Sequence, residues 1–358
     1  MPIFEYFWPV ASAFVIAVVL TPLTIKLAFR WGATDDPDTR KVHTQVMPRM
    51  GGLAIFLAFF VTLLLVVRVS GPFTGLLAGC ALVFLTGWLD DLFGLSPLMK
   101  LLGQLAAAGA AVYFGIVIHY VTNPFNGSLD LGVFSIPLTL LWIVGITNAI
   151  NLIDGLDGLA AGVSAIAAAT MGIIAFLQGQ PEVSLVAFVL VAAVLGFLPF
   201  NFHPARTFMG DCGSNLLGFA LGCLSVLAAT KSTAVISLLV PIVILGIPIF
   251  DTFFAIVRRV HNKTPIYLPD KAHLHHRLMA LGLSHGRSVS IIYGISLLFS
   301  GIAVTLTLVQ NSKASLALVV LLLLVFLAAD RIGLLTGERR GSKTDSEVEA
   351  AKTRSAGL

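Results

Sequence analysis

Long apolar runs, broken by short polar segments, set the rhythm of this chain. A helix needs about 20 apolar residues to cross the hydrocarbon core of a bilayer. By that measure eleven runs read as membrane-spanning helices, near 7–29, 51–69, 74–90, 97–118, 136–150, 159–178, 183–199, 213–230, 233–257, 288–309 and 314–335. No segment alternates apolar and polar residues as a barrel strand does, so helices are the only plausible spanning elements. The predicted fold class is all-α, a polytopic integral membrane protein. No soluble domain fits between the runs, so residues 1–337 are expected to form one transmembrane domain. The stretch 338–358 is polar and is expected to be a disordered cytoplasmic tail. The first run lacks a basic leader and a cleavage site, and is expected to be a retained helix.

Composition agrees with that pattern. Hydrophobic residues make up 57% of the 358 residues and charged residues 11%, against about 25% charge in a soluble domain. Mean hydropathy is +0.96. Basic residues then orient the chain. Arg30, Arg40, Lys41, Arg49, Lys100, Arg206, Arg258, Arg259, Lys263, Lys271, Arg277 and Arg287 fall in loops of one side, whereas the other holds Arg68, Lys231 and Lys313. The positive-inside rule predicts an outside N-terminus and a cytoplasmic C-terminus, which an odd number of spans permits. Every polar cluster with chemical potential lies on the basic side, so the chemistry is expected there. The cysteines Cys80, Cys212 and Cys223 have neither metal-ligand nor disulfide spacing.

Asn148-Ala-Ile-Asn151-Leu-Ile-Asp154-Gly-Leu-Asp157-Gly158 is the richest of these clusters. Steps of three residues predict that the two amides and two acids share one helical face. Each carboxylate would cost roughly 2.5–3.5 kcal/mol at the bilayer centre, so they are expected at a water-facing boundary. Oxygen donors of this type suit Mg²⁺, although an Asn/Asp-Gly turn before the sixth span explains the same residues. Asp90-Asp91 ends the third span and Lys100 opens the fourth. Paired acids there can share a cation or act as a base, or simply end a helix. The segment Asn201 to Ser214 carries Arg206, Phe208, Gly210, Asp211 and Gly213. It offers an anion-binding helix start, a carboxylate for a metal and an aromatic ring for a nucleobase, or else a cap formed by Asp211 or Ser214. His273-Leu-His275-His276-Arg277 has no partner cluster with zinc spacing, and suits a phosphate-rich ligand better. Lys41 and Arg49 fit the same electrostatic picture, or serve topology and anionic lipid headgroups. Asp251 is a buried acid inside the ninth span, with no partner readable from sequence. Together these are the parts of phosphoryl transfer, with a lipid as one substrate.

The motifs Arg40-Lys-Val-His43 with Pro48-Arg-Met-Gly-Gly52, Leu89-Asp-Asp91, Asn148 to Gly158, Phe208-Met-Gly-Asp-Cys-Gly-Ser214 and His273-Leu-His-His-Arg277 resemble those of the polyprenyl-phosphate N-acetylhexosamine-1-phosphate transferases. The likeness covers roughly residues 20–290. It implies transfer of a sugar-1-phosphate from a UDP-sugar to undecaprenyl phosphate, with release of UMP. It also implies Asn151 and Asp211 as ligands of Mg²⁺ (or Mn²⁺), and Lys100 on the pyrophosphate. Asn201, Phe208 and Asp157 would hold the uridine. Asp90 or Asp91 would activate the lipid phosphate, with Asp154 as a further catalytic residue. His273, His275, His276 and Arg277 would grip the sugar-phosphate.

Leu274 interrupts the histidine run, which resembles the UDP-N-acetylglucosamine branch that starts teichoic acid, O-antigen or related cell-envelope glycans. The muramoyl-pentapeptide branch carries three consecutive histidines. Gly94 stands where some members have a third acid, and Cys212 where a small polar residue is more usual. The implied mechanism is one in-line attack by the lipid phosphate, with a two-step aspartyl-phosphate route as the alternative. The expected setting is a bacterial cytoplasmic membrane, with membrane lipid as surroundings, no nucleic-acid partner, and a homodimer left open. Two rivals compete. A CDP-alcohol phosphatidyltransferase would need an Arg at Gly162 and further acids before Glu182, and fails. A secondary transporter would place its acids at the bilayer midplane in related halves, and no internal repeat is seen.

Overall fold

The computed structural model describes residues 3–36, 46–123, 127–229, 239–264 and 273–309, and residue 324. In chain order the elements are α1 (Ile3–Trp31), β1 (Thr34–Asp35), β2 (Met47–Pro48), α2 (Gly51–Val66), α3 (Pro72–Phe93) and α4 (Pro97–Tyr113). Next come β3 (Tyr120–Asn123), β4 (Gly127–Asp130), α5 (Ser135–Ile153), α6 (Leu159–Leu177), α7 (Pro181–Asn201) and α8 (Gly210–Ala229). The series ends with α9 (Leu239–Ile244), α10 (Gly246–His261), α11 (Leu274–Ala280) and α12 (His285–Val309). Among the described residues, α1, α3, α5 with its leading turn, α6, α7, α8 and α12 are long and apolar enough to cross a membrane, and α2 is a shorter apolar helix. The chain is a helical, polytopic membrane protein.

Helix α8 is the hub, packed against α2, α3, α5 and α6, and nearly all of its residues are buried. Small residues let its neighbours approach, as packing within a membrane favours. A Cβ on Gly87 of α3 would lie 2.6 Å from the Asp211 carbonyl oxygen. That contact sets Asp90 and Asp91, one turn further along α3, against the start of α8. Gly52, at the head of α2, lies against Gly213, and its N–H donates to the Met209 carbonyl at 2.8 Å. Outward-facing Leu65, Leu141 and Leu297 are exposed, as apolar side chains are where lipid is the solvent. All three cysteines are free and buried.

Several expectations change. The ninth span is not one helix: Leu245 separates α9 from α10, and Pro248, which has no N–H to donate, follows three residues later. Helix α10 continues to His261 and ends in Arg258, Arg259 and His261. Helix α4 stops at Tyr113, and Gly115 turns the chain with φ 102°. The single helical face drawn through Asn148 and Asp157 also fails. Helix α5 ends at Ile153, Asp154 is its C-cap, and Asp157 lies in the turn before α6. Gly158 takes φ 75° there, which opens α6. Two ribbons, β1–β2 and β3–β4, pair antiparallel and had no clear signal. Lys41, the eleventh predicted span apart from residue 324, and the 338–358 tail lie outside the described residues.

Candidate active site

Five inter-helix connections bring their polar residues together at one end of the bundle. The ammonium of Lys100, at the start of α4, sits between two carboxylates: 2.6 Å from Asp90 Oδ2 and 2.5 Å from Asp211 Oδ2. Ser96 caps α4 through the Met99 N–H, which fixes the turn that presents Lys100. Asn151 Nδ2 donates to Asp211 Oδ1 at 3.1 Å and to Ser214 Oγ at 2.8 Å. Residues 111 positions apart thus form one charged pocket.

The Asp90-Asp91 pair does not act as a unit. Asp90 Oδ1 accepts the Leu95 N–H at 2.7 Å and closes the end of α3, while its other oxygen meets Lys100. Asp91 turns the opposite way and accepts the N–H groups of Asp211 and Cys212 at 2.8 and 2.9 Å. It is the N-cap of α8, supplied by another helix instead of by Asp211 or Ser214. A negative group at that position complements the exposed amides of a helix start. Arg49 stands over the same acids, 3.5 Å from Asp35, 3.6 Å from Asp91 and 3.9 Å from Asp211. The ribbon β1–β2 aims it there, and Phe208 anchors the strand end by donating its N–H to the Pro48 carbonyl at 2.8 Å.

One turn deeper lies a set of amides. Gln104 Nε2 donates to Asn148 Oδ1 at 3.3 Å and to Asn215 Oδ1 at 3.0 Å, and Asn148 Nδ2 returns a bond to Gln104 Oε1 at 2.7 Å. Each amide is one helical turn from Lys100, Asn151 or Asp211, so the triad forms the pocket's floor. Gln104 and Asn215 escaped the sequence reading. A polar amide inside an apolar run, four residues from a functional candidate, was the available signal.

The turn at 154–158 forms the adjoining wall. Burial, helped by the negative charge of Asp211, pushes the Asp154 carboxyl up to about 7. Asp157 Oδ2 lies 2.8 Å from His203 Nδ1 and accepts the Ala205 N–H at 3.2 Å. The His203 ring stacks on His285 with centroids 4.2 Å apart. Asn201 is buried, takes the Gly158 N–H on Oδ1 at 3.1 Å and donates to the Thr207 carbonyl at 2.9 Å. Tyr293 also donates to the Gly158 carbonyl. His203, His285 and Tyr293 were not singled out in sequence, because nothing in their spacing links them to Asp157.

Asp157, His203 and His285 place one ligand atom each within 4.8 Å of one another. A metal-bound imidazole normally has an acceptor behind its second nitrogen, whereas His285 Nδ1 is buried without a partner. The cluster ties the turn at 154–158 and the α7–α8 connection to the start of α12.

The histidine segment divides by burial. His273 and His275 are buried, His276 is exposed and Arg277 half-buried. The His275 ring lies over Gly155, and burial together with nearby His276 lowers its pKa to about 3. Asp251 has its partner here: His273 Nδ1, at 2.8 Å.

Residues 73–229 match the family model of glycosyl transferase family 4. The chain is 44% identical over 322 residues to a Bacillus subtilis protein named "Probable undecaprenyl-phosphate N-acetylglucosaminyl 1-phosphate transferase", covering 88% of this chain and 89% of that one. The chain belongs to glycosyl transferase family 4. A second member, the decaprenyl-phosphate N-acetylglucosaminephosphotransferase of Mycolicibacterium smegmatis, is 39% identical across 79% of this chain and 77% of its own. A phospho-N-acetylmuramoyl-pentapeptide-transferase of Listeria innocua is 33% identical across 82% of this chain and 95% of its own. In family 4 terms the chain is a polyprenyl-phosphate hexosamine-1-phosphate transferase.

The pocket of this family 4 protein has the donors that a hard divalent cation requires. Asp90 and Asp211 already share one cationic group, the Lys100 ammonium, and Ser214 Oγ and the Asn151 amide adjoin Asp211. These are oxygen ligands with few nitrogens and no thiolate, the set preferred by Mg²⁺ or Mn²⁺.

Proposed function

We propose that this protein transfers N-acetylglucosamine-1-phosphate from UDP-N-acetylglucosamine to undecaprenyl phosphate, in a Mg²⁺-dependent reaction on the cytoplasmic face of a bacterial membrane. The product would start a cell-envelope glycan such as a teichoic acid or O-antigen. The observation that carries the reading is the Lys100 bridge between Asp90 and Asp211, a charge pocket opening at the end of a lipid-embedded bundle. Lys100 would move onto the substrate diphosphate. Asp211 and Asn151 would hold the cation, which when bound supplies charge neutralisation for a phosphoryl group in transfer.

Asp90 suits the lipid phosphate better than Asp91, whose carboxylate is fully enclosed and committed to the amides of α8. Asp157 and Phe208 would line the uridine side. Asn201 would shape that side through the backbone of Gly158 and Thr207, because both ends of its amide are engaged. His276 and Arg277 would meet the sugar-phosphate, and Arg49 and Lys41 would draw in anions. The N-acetylglucosamine choice is supported by the names of the 44% and 39% relatives. It is supported too by Leu274, which fills the interrupting position and packs against the buried Phe254.

The test is UMP release by the purified protein in detergent with undecaprenyl phosphate. UDP-GlcNAc, UDP-GalNAc and UDP-MurNAc-pentapeptide are compared with Mg²⁺, with Mn²⁺ and without either. Release with UDP-GlcNAc alone, lost on chelation, is expected. A preference for the pentapeptide substrate would move the protein to the muramoyl branch, and metal-independent release would remove the cation.

A further inference from the structure

Asp251 sits in α10, and both its oxygens are spent on the histidine segment. Oδ1 accepts the Leu274 N–H at 2.7 Å and so caps α11 from a different helix. Oδ2 lies 2.8 Å from His273 Nδ1. The two side chains are 2% and 6% exposed, which makes this the most enclosed acid–imidazole contact among the described ion pairs. Burying a carboxylate is costly unless its lone pairs are used. An ionised carboxylate only accepts, so the imidazole proton belongs on Nδ1, and Nε2 is the nitrogen left to act elsewhere. Beside the pair a small enclosed cavity is bounded by Asp251, His275 and the apolar Ile153, Ile247 and Ile292.

We propose that Asp251 is a positioning residue for the transfer reaction, locking His273 in the tautomer and orientation that present Nε2 to a substrate phosphate. The phosphate belongs either to the nucleotide sugar or to the polyprenyl lipid, and the proposal rests on the transferase reading above. A carboxylate that orients an imidazole in this way does no chemistry of its own. It differs from a plain helix cap because its effect must pass through His273.

A double-mutant cycle on UMP release separates the two roles. Asp251→Asn keeps the size of the side chain but brings a donor to the place of an acceptor. It is expected to lower kcat by about 100-fold, the scale of a misplaced group. KM is measured for each substrate in turn, and the substrate whose KM also rises identifies the phosphate that His273 meets. In a His273→Gln background, Asp251→Asn should have no further effect on kcat. Ring-¹⁵N spectra of the wild type should show an Nδ1–H tautomer signal that is absent in His273→Gln and moved in Asp251→Asn.

Effects that multiply in the double variant would overturn the proposal, as would an Asp251→Asn protein with wild-type kcat. Loss of a cooperative melt in both Asp251→Asn and Asp251→Glu would show a purely structural acid, and would overturn it too. A wild type that releases no UMP would defeat the transferase reading instead, and the ¹⁵N signal would still decide whether Asp251 holds the tautomer of His273.

Discussion

Lys100, shared between Asp90 and Asp211, offsets the repulsion between two close carboxylates. Truncating Asp211 with Ala should abolish UMP release, because the metal donor and the ammonium partner vanish together, while α8 keeps its Asp91 cap and the melt stays cooperative. Calorimetry alongside the activity assay checks both halves of that outcome. His275 makes a different prediction. Its folded pKa of about 3 lies below the usual value of 6.5, so the unfolded chain binds more protons between those values. Stability from the neutral, buried ring is complete above about pH 6.5 and is lost as pH falls toward 3. Melts at about pH 7 and about pH 5 should show a smaller acid-induced drop for His275→Gln than for the wild type. An equal drop would place the acid-sensitive group elsewhere.

Between elements, glycine contacts at α8 set the register of the acids. Gly87→Val would drive methyl groups into the backbone of Asp211 and Cys212. Overpacking of this kind costs about 1–3 kcal/mol, and a shift of α3 would also pull Asp90 and Asp91 off their partners. Thermal melts in detergent should fall, and UMP release should fall by more than stability alone explains. The N-cap of α8 shows why local sequence was a weak guide. Asp211 and Ser214 stand where a cap is expected, yet the amides of Asp211 and Cys212 are taken by Asp91, 120 positions away. Likewise the three-residue spacing from Asn148 to Asp157 suggested a helix face, and the left-handed Gly158 with the C-cap at Asp154 replaced it by a turn.

For the whole molecule, the pocket lies at one end of the helices, and the positive-inside pattern makes the cytoplasmic side the expectation to test. Native cysteines are buried, so new ones report topology cleanly. Phe93→Cys and Phe202→Cys, exposed near the pocket, should react with an impermeant maleimide only in inverted vesicles. Val133→Cys, exposed in the turn that leads into α5, should react only from outside. Labelling of Phe93→Cys and Phe202→Cys from opposite sides would contradict a single pocket.

The sequence by itself determined the class of molecule and much of its chemistry. Uninterrupted apolar length forces helices in a lipid solvent, and acids too costly for the bilayer core must gather at its edge. That reasoning reached Asp90, Lys100, Asn151 and Asp211, which the structure brings into contact. Partnership was decided only in three dimensions. Which acid caps a helix and which faces the pocket, why Asp251 is buried, and how His203 and His285 close on Asp157 depend on side chains tens to hundreds of residues apart. Hydropathy along one strand of chain records how each segment meets its solvent, and carries no information about which other segment it will meet.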